Sequence, residues 1–198
     1  IATAEQIALM GKVNDDWSQE YNKAYYVLTA DIQLNDVENY ENWKETPPEY
    51  QWKPVGNSFK GSFDGDGHVL SGLYTEAADG NDYTGMFGHV TGTIQNLTLR
   101  DTYSAGSEAA PLAYLVEKTG VIDHCVAEGN AIARSYAGGL VNSLNNRAHM
   151  RNCYVMGTVS SKTRAGGLVV SSGGTMENCY VNAQVLNAKQ KGGIAARV

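Results

Sequence analysis

The chain has 198 residues, with 15 Lys+Arg against 21 Asp+Glu and a formal net charge of −6. That acidic balance leaves no basic footprint for nucleic acid, and 42% hydrophobic residues are too many for a disordered tail. No run of about 18 apolar residues exists, so no segment reads as a transmembrane helix; Gly at 22 with Pro at only 4 suits tight turns in a regular fold.

The chain opens at Ile1 without Met or an apolar leader, so it reads as a processed or trimmed form. Residues 3–14 are the one helical stretch. Thr3 and Gln6 make a capping box, and Ile7, Met10 and Val13 follow on one face. Such a helix is expected to cover the open end of a β core. Residues 25–34 then read as strands, completing a first section over 1–34.

Residues 35–54 form an insertion too long for an ordinary turn. It carries Tyr40, Trp43 and Tyr50 among carboxylates. Aromatic faces stack on sugar rings and carboxylates bond to hydroxyls, so these three are candidate glycan-binding residues. The plainer alternative is that they pack the insertion onto its scaffold. Trp52 belongs with the framework that follows.

In Asp64-Gly65-Asp66-Gly67 the alternation suits a turn with positive φ. Calcium held by Asp64 and Asp66 is the alternative, but the further carboxylates of a full calcium loop do not follow. His68 reads as a turn cap. No other cofactor is expected.

From residue 55 the chain repeats. Ala137-Gly138-Gly139-Leu140-Val141 and Ala165-Gly166-Gly167-Leu168-Val169 match, as do Asn152-Cys153-Tyr154-Val155 and Asn178-Cys179-Tyr180-Val181. Looser copies run through Ile94-Gln95-Asn96-Leu97 and Ile122-Asp123-His124-Cys125, and Gly192-Gly193-Ile194 opens another. Short β-branched pieces separated by Gly, Asn and Ser read as strands, none of which can bury a face alone. Stacking coils of roughly 25–28 residues solves this. The expected fold is therefore all-β, a right-handed single-stranded parallel β-helix, forming one domain over 1–198 with an N-terminal capping helix; the hand follows the general crossover preference.

The stacking assigns columns. Leu97, Cys125, Cys153 and Cys179 form one, with the cysteines expected as free, buried thiols. Asn96, His124, Asn152 and Asn178 form the next, expected to satisfy turn backbone groups. Asp123, Arg151 and Glu177 are expected as a charge ladder. Arg134, Lys162, Arg164, Lys189 and Lys191 precede the Gly-Gly positions and are expected along one edge. That edge reads first as a solvated turn, and alternatively as a basic stripe for anionic glycans.

The blocks Trp52-Lys53-Pro54-Val55-Gly56, Phe59-x-Gly61-x-Phe63-Asp64-Gly65-x-Gly67-His68, Gly85-Met86-Phe87-Gly88 and the Gly-Gly-Leu-Val copies together resemble GLUG-motif repeats of bacterial secreted and cell-surface proteins. Such repeats include regions of IgA-type metallopeptidases. The resemblance covers nearly the whole chain. Asn142 and Val170 depart from it, standing where family copies often close with Gly. The HExxH helix of the peptidases is absent, so peptidase activity does not carry over. The resemblance implies a β-helix, export to the cell surface or medium, and an adhesive or accessory role without catalytic residues.

Three functions follow as expectations. The first is a non-enzymatic module binding carbohydrate or a host surface protein. The second is a polysaccharide lyase or glycoside hydrolase, for which β-helices are a known scaffold but fold fixes no function. The third is a structural spacer of a larger surface protein. Further coils, or another chain, are expected at the C-terminal edge.

Overall fold

A computed structural model describes residues 1–15, 21–55, 58–77 and 83–198. Gly56 of the framework block and the side chain of Val13 lie outside the described residues. The chain winds into a parallel β-helix of about five turns with an N-terminal α-helix, Ala4–Asp15. Among the described residues no helix is long and apolar enough to cross a membrane.

Three sheets run along the solenoid. The first stacks Tyr25–Val27, Ser62–Asp64, Thr93–Gln95, Val121–Asp123, His149–Arg151 and Thr175–Glu177. The second is the broadest. Its body is Ile32–Gln33, Val69–Ser71, Thr98–Ala109, Val126–Gly138, Tyr154–Ser160 and Tyr180–Leu186. The third stacks Phe87–Val90, Ala113–Val116, Val141–Leu144, Val169–Ser172 and Ala195–Arg197. Neighbouring strands in all three run parallel, as the sequence repeat requires.

The interior is built of columns. Phe63, Ile94, Ile122 and Met150 stack in register and are fully buried. Leu97, Cys125 and Cys153 are buried beside them, and Cys179 continues the column half-buried. All three cysteines are free thiols. Each thiol donates to the carbonyl two residues earlier: Cys125 to Asp123 at 3.4 Å, Cys153 to Arg151 at 3.1 Å, Cys179 to Glu177 at 3.2 Å. Burial pushes the Cys125 thiol up to about 12, so it remains protonated and inert.

The capping helix forms as expected. Gln6 N donates to Thr3 Oγ1 at 3.3 Å, while Gln6 Oε1 accepts from Ala2 N at 2.6 Å, one residue before the cap. Ile7 and Met10 are buried in the main core, closing its first coil.

Two features go beyond the sequence reading. Strands Thr98–Ala109 and Val126–Gly138 are single bent ribbons with register shifts, not pairs of short strands. Their bend encloses a second core of small residues: Ala109, Ala131, Ala133, Ala137, Val159, Ala165 and Ala188. Asn142 and Val170 are buried, and Asn142 Nδ2 donates to Tyr136 O in the lobe at 3.3 Å.

The asparagine column differs from expectation in its physical role. Asn96, His124, Asn152 and Asn178 all have φ between 50° and 55°, the left-handed region that Asn tolerates best among residues with a Cβ. In the first three the backbone N–H is satisfied by a carbonyl of the next coil: Asn96 by Asp123, His124 by Arg151, Asn152 by Glu177. The side chains are thus left free to bond neighbouring side chains.

Candidate functional site

The insertion begins where Gln33 leaves the second sheet. It includes a short 3-10 turn, Tyr40–Asn42, and rejoins the solenoid at Gln51 and Trp52. Trp52 N donates to Tyr74 O at 2.8 Å and its indole Nε1 to Met86 O at 3.0 Å, the framework role expected of it.

Two anchors hold the insertion. Trp43 is one. It is buried, edge-on to Tyr74 at 5.8 Å and to Tyr40 at 6.2 Å, while Tyr74 stacks on Tyr103 of the next coil at 5.5 Å. These rings and Ala105 make a satellite core on the outside of the second sheet. Burial lifts the phenols of Tyr40, Tyr74 and Tyr103 above their ordinary range, so all are neutral donors.

Asn35 is the second anchor, and the sequence reading missed it. Its buried amide accepts from Tyr50 N at 3.0 Å and donates to Tyr50 O at 2.8 Å and Gly72 O at 3.0 Å. One side chain therefore ties both ends of the insertion to the solenoid. The available signal was an Asn at the first position of a long loop, where a group that both donates and accepts can close it. Gly72 makes room: it has φ of 74°, and a Cβ there would lie 2.7 Å from Asn35 O.

Tyr50, clamped through its backbone, keeps its ring in solvent at 63% exposure. A hollow lies on each side of it. The first is about 540 Å³, lined chiefly by Gln33, Asp36, Asn39, Trp43, Pro48 and Glu49. The second is about 340 Å³, between the insertion and the capping helix, lined by Ala4, Glu5, Ala8, Leu34, Trp52 and Tyr74. Leu34, Asn35 and Tyr50 border both. Each volume falls within the range of roughly 300–1,000 Å³ usual for ligand clefts. Of the three aromatic residues proposed from sequence, Tyr50 and Trp43 face the first hollow; Tyr40 packs behind Trp43.

The basic residues lie along the Gly-Gly edge of the later coils in neighbouring columns rather than in one. Tyr136, Arg164 and Gln190 share one rung, and Ala137, Ala165 and Lys191 the next. Arg164 lies over the Tyr136 ring at 5.2 Å and donates from Nε to Gln190 Oε1 at 2.7 Å. Lys191 stands in the column that Ala109, Ala137 and Ala165 fill in earlier coils. The offset of 28 that pairs Ile132 with Ser160 and Tyr136 with Arg164 sets Arg134 level with Lys162, whereas Lys189 falls level with Thr163. A 26-residue last coil against 28-residue earlier ones is the cause.

On the first sheet, Asp64 Oδ2 accepts from Gln95 Nε2 at 2.7 Å, and its Oδ1 from Asn96 Nδ2 at 3.0 Å and Asp66 N at 2.8 Å. Burial opposes ionisation, but these donors outweigh it and hold the carboxyl below its ordinary range. Asp66 takes φ of 50°, the turn geometry expected from the Asp-Gly alternation. Asp123 repeats the arrangement two coils on. Its oxygens accept from Arg151 Nε at 2.8 Å and Nη2 at 2.7 Å and from Asn152 Nδ2 at 2.9 Å, with His124 Nδ1 at 2.7 Å. The expected charge ladder is present between Asp123 and Arg151, and the field of Glu177 adds to that of Asp123 in raising Arg151. His68 Nδ1 lies 3.1 Å from Asp31 Oδ1, which also accepts from Val69 N, so it caps a turn. Among the described residues no group of three or more His, Cys, Asp and Glu is placed to hold a metal ion.

One further polar cluster was not anticipated. Tyr83 and Tyr114 stack at 4.3 Å, His89 packs against both, and His89 Nδ1 lies 3.0 Å from Glu117 Oε1. Its members come from coils where the repeat is least regular, so no column revealed it.

No family model matches the chain. Over 138 residues it is 28% identical to halomucin of Haloquadratum walsbyi, a stretch that is 65% of this chain and 1% of that protein. Over 84 residues it is 34% identical to a "Putative Gly-rich membrane protein" of Evansella cellulosilytica, 39% of this chain and 10% of that protein. The chain thus spans a small part of the length of the relatives it matches. In fold it is similar to the crystal structure of a "putative immunoglobulin A1 protease" from Bacteroides ovatus, with a TM-score of 0.60 and 18% identity over 98% of this chain and 83% of that one. At that identity the likeness is one of fold: a parallel β-solenoid shared along nearly the whole chain.

Proposed function

We propose that this chain is a non-enzymatic, secreted or surface-attached module that binds carbohydrate at the hollows beside Tyr50. The observation that carries the reading is Tyr50 itself. A tyrosine ring is exposed on a long insertion while its backbone is fixed at both polar atoms by a buried Asn. Holding the backbone in advance lowers the ordering cost that binding would otherwise incur. The ring offers an apolar face, and Gln33, Asp36, Asn39 and Glu49 surround it with hydroxyl-binding groups. The GLUG resemblance and a relative named as a membrane protein support the location.

The test is binding of the wild-type chain to an oligosaccharide array, followed by calorimetry on the best ligand with Tyr50→Ala. That substitution removes the ring and leaves the backbone bonds to Asn35. Losing a stacked ring is expected to weaken binding by roughly tenfold, corresponding to ~1.4 kcal/mol. Unchanged affinity in Tyr50→Ala would overturn the site, and a silent array would overturn the function.

A further inference from the structure

We infer that the saccharide taken beside Tyr50 carries no anionic groups: it is a neutral or amine-bearing glycan, and chains of uronate or sulfated sugars are rejected. This rests on the carbohydrate-binding reading and deepens it by naming the ligand class.

Charge is the first support. The carboxylates that line the two hollows are Asp36 and Glu49 on one side of Tyr50 and Glu5 on the other; among the described residues no Lys, Arg or His lines either. The insertion that forms the rim adds Glu38, Glu41 and Glu45, against only Lys44 and Lys53. Lys44 is itself paired with Glu45 at 3.4 Å. A ligand carboxylate or sulfate entering there would meet like charge with no counter-ion from the protein. At ionic strengths near 0.1 M the Debye length is about 10 Å, so that repulsion acts across a cleft of this size. Hydroxyl groups, by contrast, donate to Asp36 and Glu49, and an ammonium group would be attracted.

Shape is the second support. Asn35, Leu34 and Tyr50 border both hollows, so Tyr50 is a ridge between them. The first hollow is rich in amide and carboxylate groups. The second is lined mainly by Ala4, Ala8, Leu34, Trp52 and Tyr74. A linear chain crossing the ridge would place hydroxyls against Asp36, Asn39 and Glu49, and an apolar sugar face or acetyl methyl against Trp52 and Tyr74. The basic residues, which would favour the opposite ligand class, lie on the Gly-Gly edge of the later coils and are not gathered into one column.

The experiment compares matched oligomers on the intact chain at low and moderate salt: glucose oligomers, N-acetylglucosamine oligomers, glucosamine oligomers, and polymers of uronic acid and of sulfated sugar. Binding is read by calorimetry for wild type, Tyr50→Ala and the double variant Asp36→Asn/Glu49→Gln. We expect a neutral or amine-bearing oligomer to bind in a Tyr50-dependent manner, and uronate or sulfated polymers to bind at least tenfold more weakly at low salt. The double variant should narrow that gap. Tyr50-dependent binding with uronate or sulfate preferred would overturn this inference and leave the carbohydrate reading standing. No binding by any saccharide would overturn both. An unchanged gap in the double variant would overturn the electrostatic basis of the rejection.

Discussion

Asp123 shows how a single side chain organises a corner of the solenoid. It is nearly covered, yet it meets Arg151, Asn152 and His124 from its own and the following coil. Burial raises its pKa, and the hydrogen bonds and charge of Arg151, with Asn152 and His124, more than reverse this. Its folded pKa therefore lies below the unfolded value of about 3.9. Such a group stabilises the fold above the unfolded pKa, and the contribution is lost as pH falls through the folded value. Asp64 follows the same rule. Urea midpoints measured from pH 6 down to 2.5 should fall below about pH 4, and Asp123→Asn should flatten that slope. At neutral pH the same variant should cost only about 1 kcal/mol, because Arg151 is half exposed and solvent at its guanidinium screens the pair. An unaltered acid slope would remove Asp123 from this role. The recurring Asn, His, Asn, Asn run was visible in sequence as a column. Its cause was not, because a left-handed corner and a hydrogen-bonding ladder select the same residue types. The Asp64–Gln95 pair went unseen because Gln95 matches neither Asp123 nor Arg151 in chemistry, though it shares their rung.

At the scale of the element, the insertion behaves as a separate unit fastened at two points. The Trp43 anchor works by burial against Tyr74 and Tyr103, whereas Asn35 works by three hydrogen bonds. Asn35→Ala leaves Tyr50 N, Tyr50 O and Gly72 O without their partner, at about 1–3 kcal/mol for each buried group that finds no water. The solenoid core does not pass through these atoms, so the far-ultraviolet circular dichroism should stay as in wild type. What should change is local: faster hydrogen exchange at Tyr50 N–H and faster proteolysis between residues 36 and 49. Saccharide affinity should fall as well, although the ring of Tyr50 is intact, because its backbone is no longer held. Protection equal to wild type would show that Trp43 alone suffices. For this reason Trp43→Ala is a poor probe of ligand contact: it removes an anchor and a lining residue together. The sequence singled out the insertion and its three aromatic residues. It offered no means of dividing them, because Trp43 is buried by Tyr74 and Tyr103, which belong to later coils.

Across the whole molecule, three sheets must climb at one pitch, so a local expansion in one coil is resisted by the other two sheets. The Gly-Gly pairs show where that constraint is tightest. A methyl on Gly167 would overlap the carbonyl of Gly193 in the next coil and lie 2.6 Å from Val181 Cγ1. On Gly139 it would overlap Gly167 and lie 2.7 Å from Val155 Cγ1. These overlaps involve backbone that the ladders hold, Gly167 between two coils and Gly193 against the coil before it, so relief requires moving a coil rather than a side chain. Gly167→Ala is therefore expected to cost ~1–3 kcal/mol, the usual range for overpacking. Gly173→Ala, whose nearest neighbour would stand at 3.4 Å, is expected to stay within about 0.5 kcal/mol of wild type. In a solenoid each coil contacts only its neighbours, so stability is close to a sum of coil and interface terms. The penalty should then appear first in amide exchange of strands Thr175–Glu177 and Tyr180–Leu186, before Val121–Asp123 and Val126–Gly138 respond. Uniform loss of protection along the axis would mean the coils unfold as one cooperative block, and equal stability of the two variants would show that the close approach at Gly167 does not set the pitch.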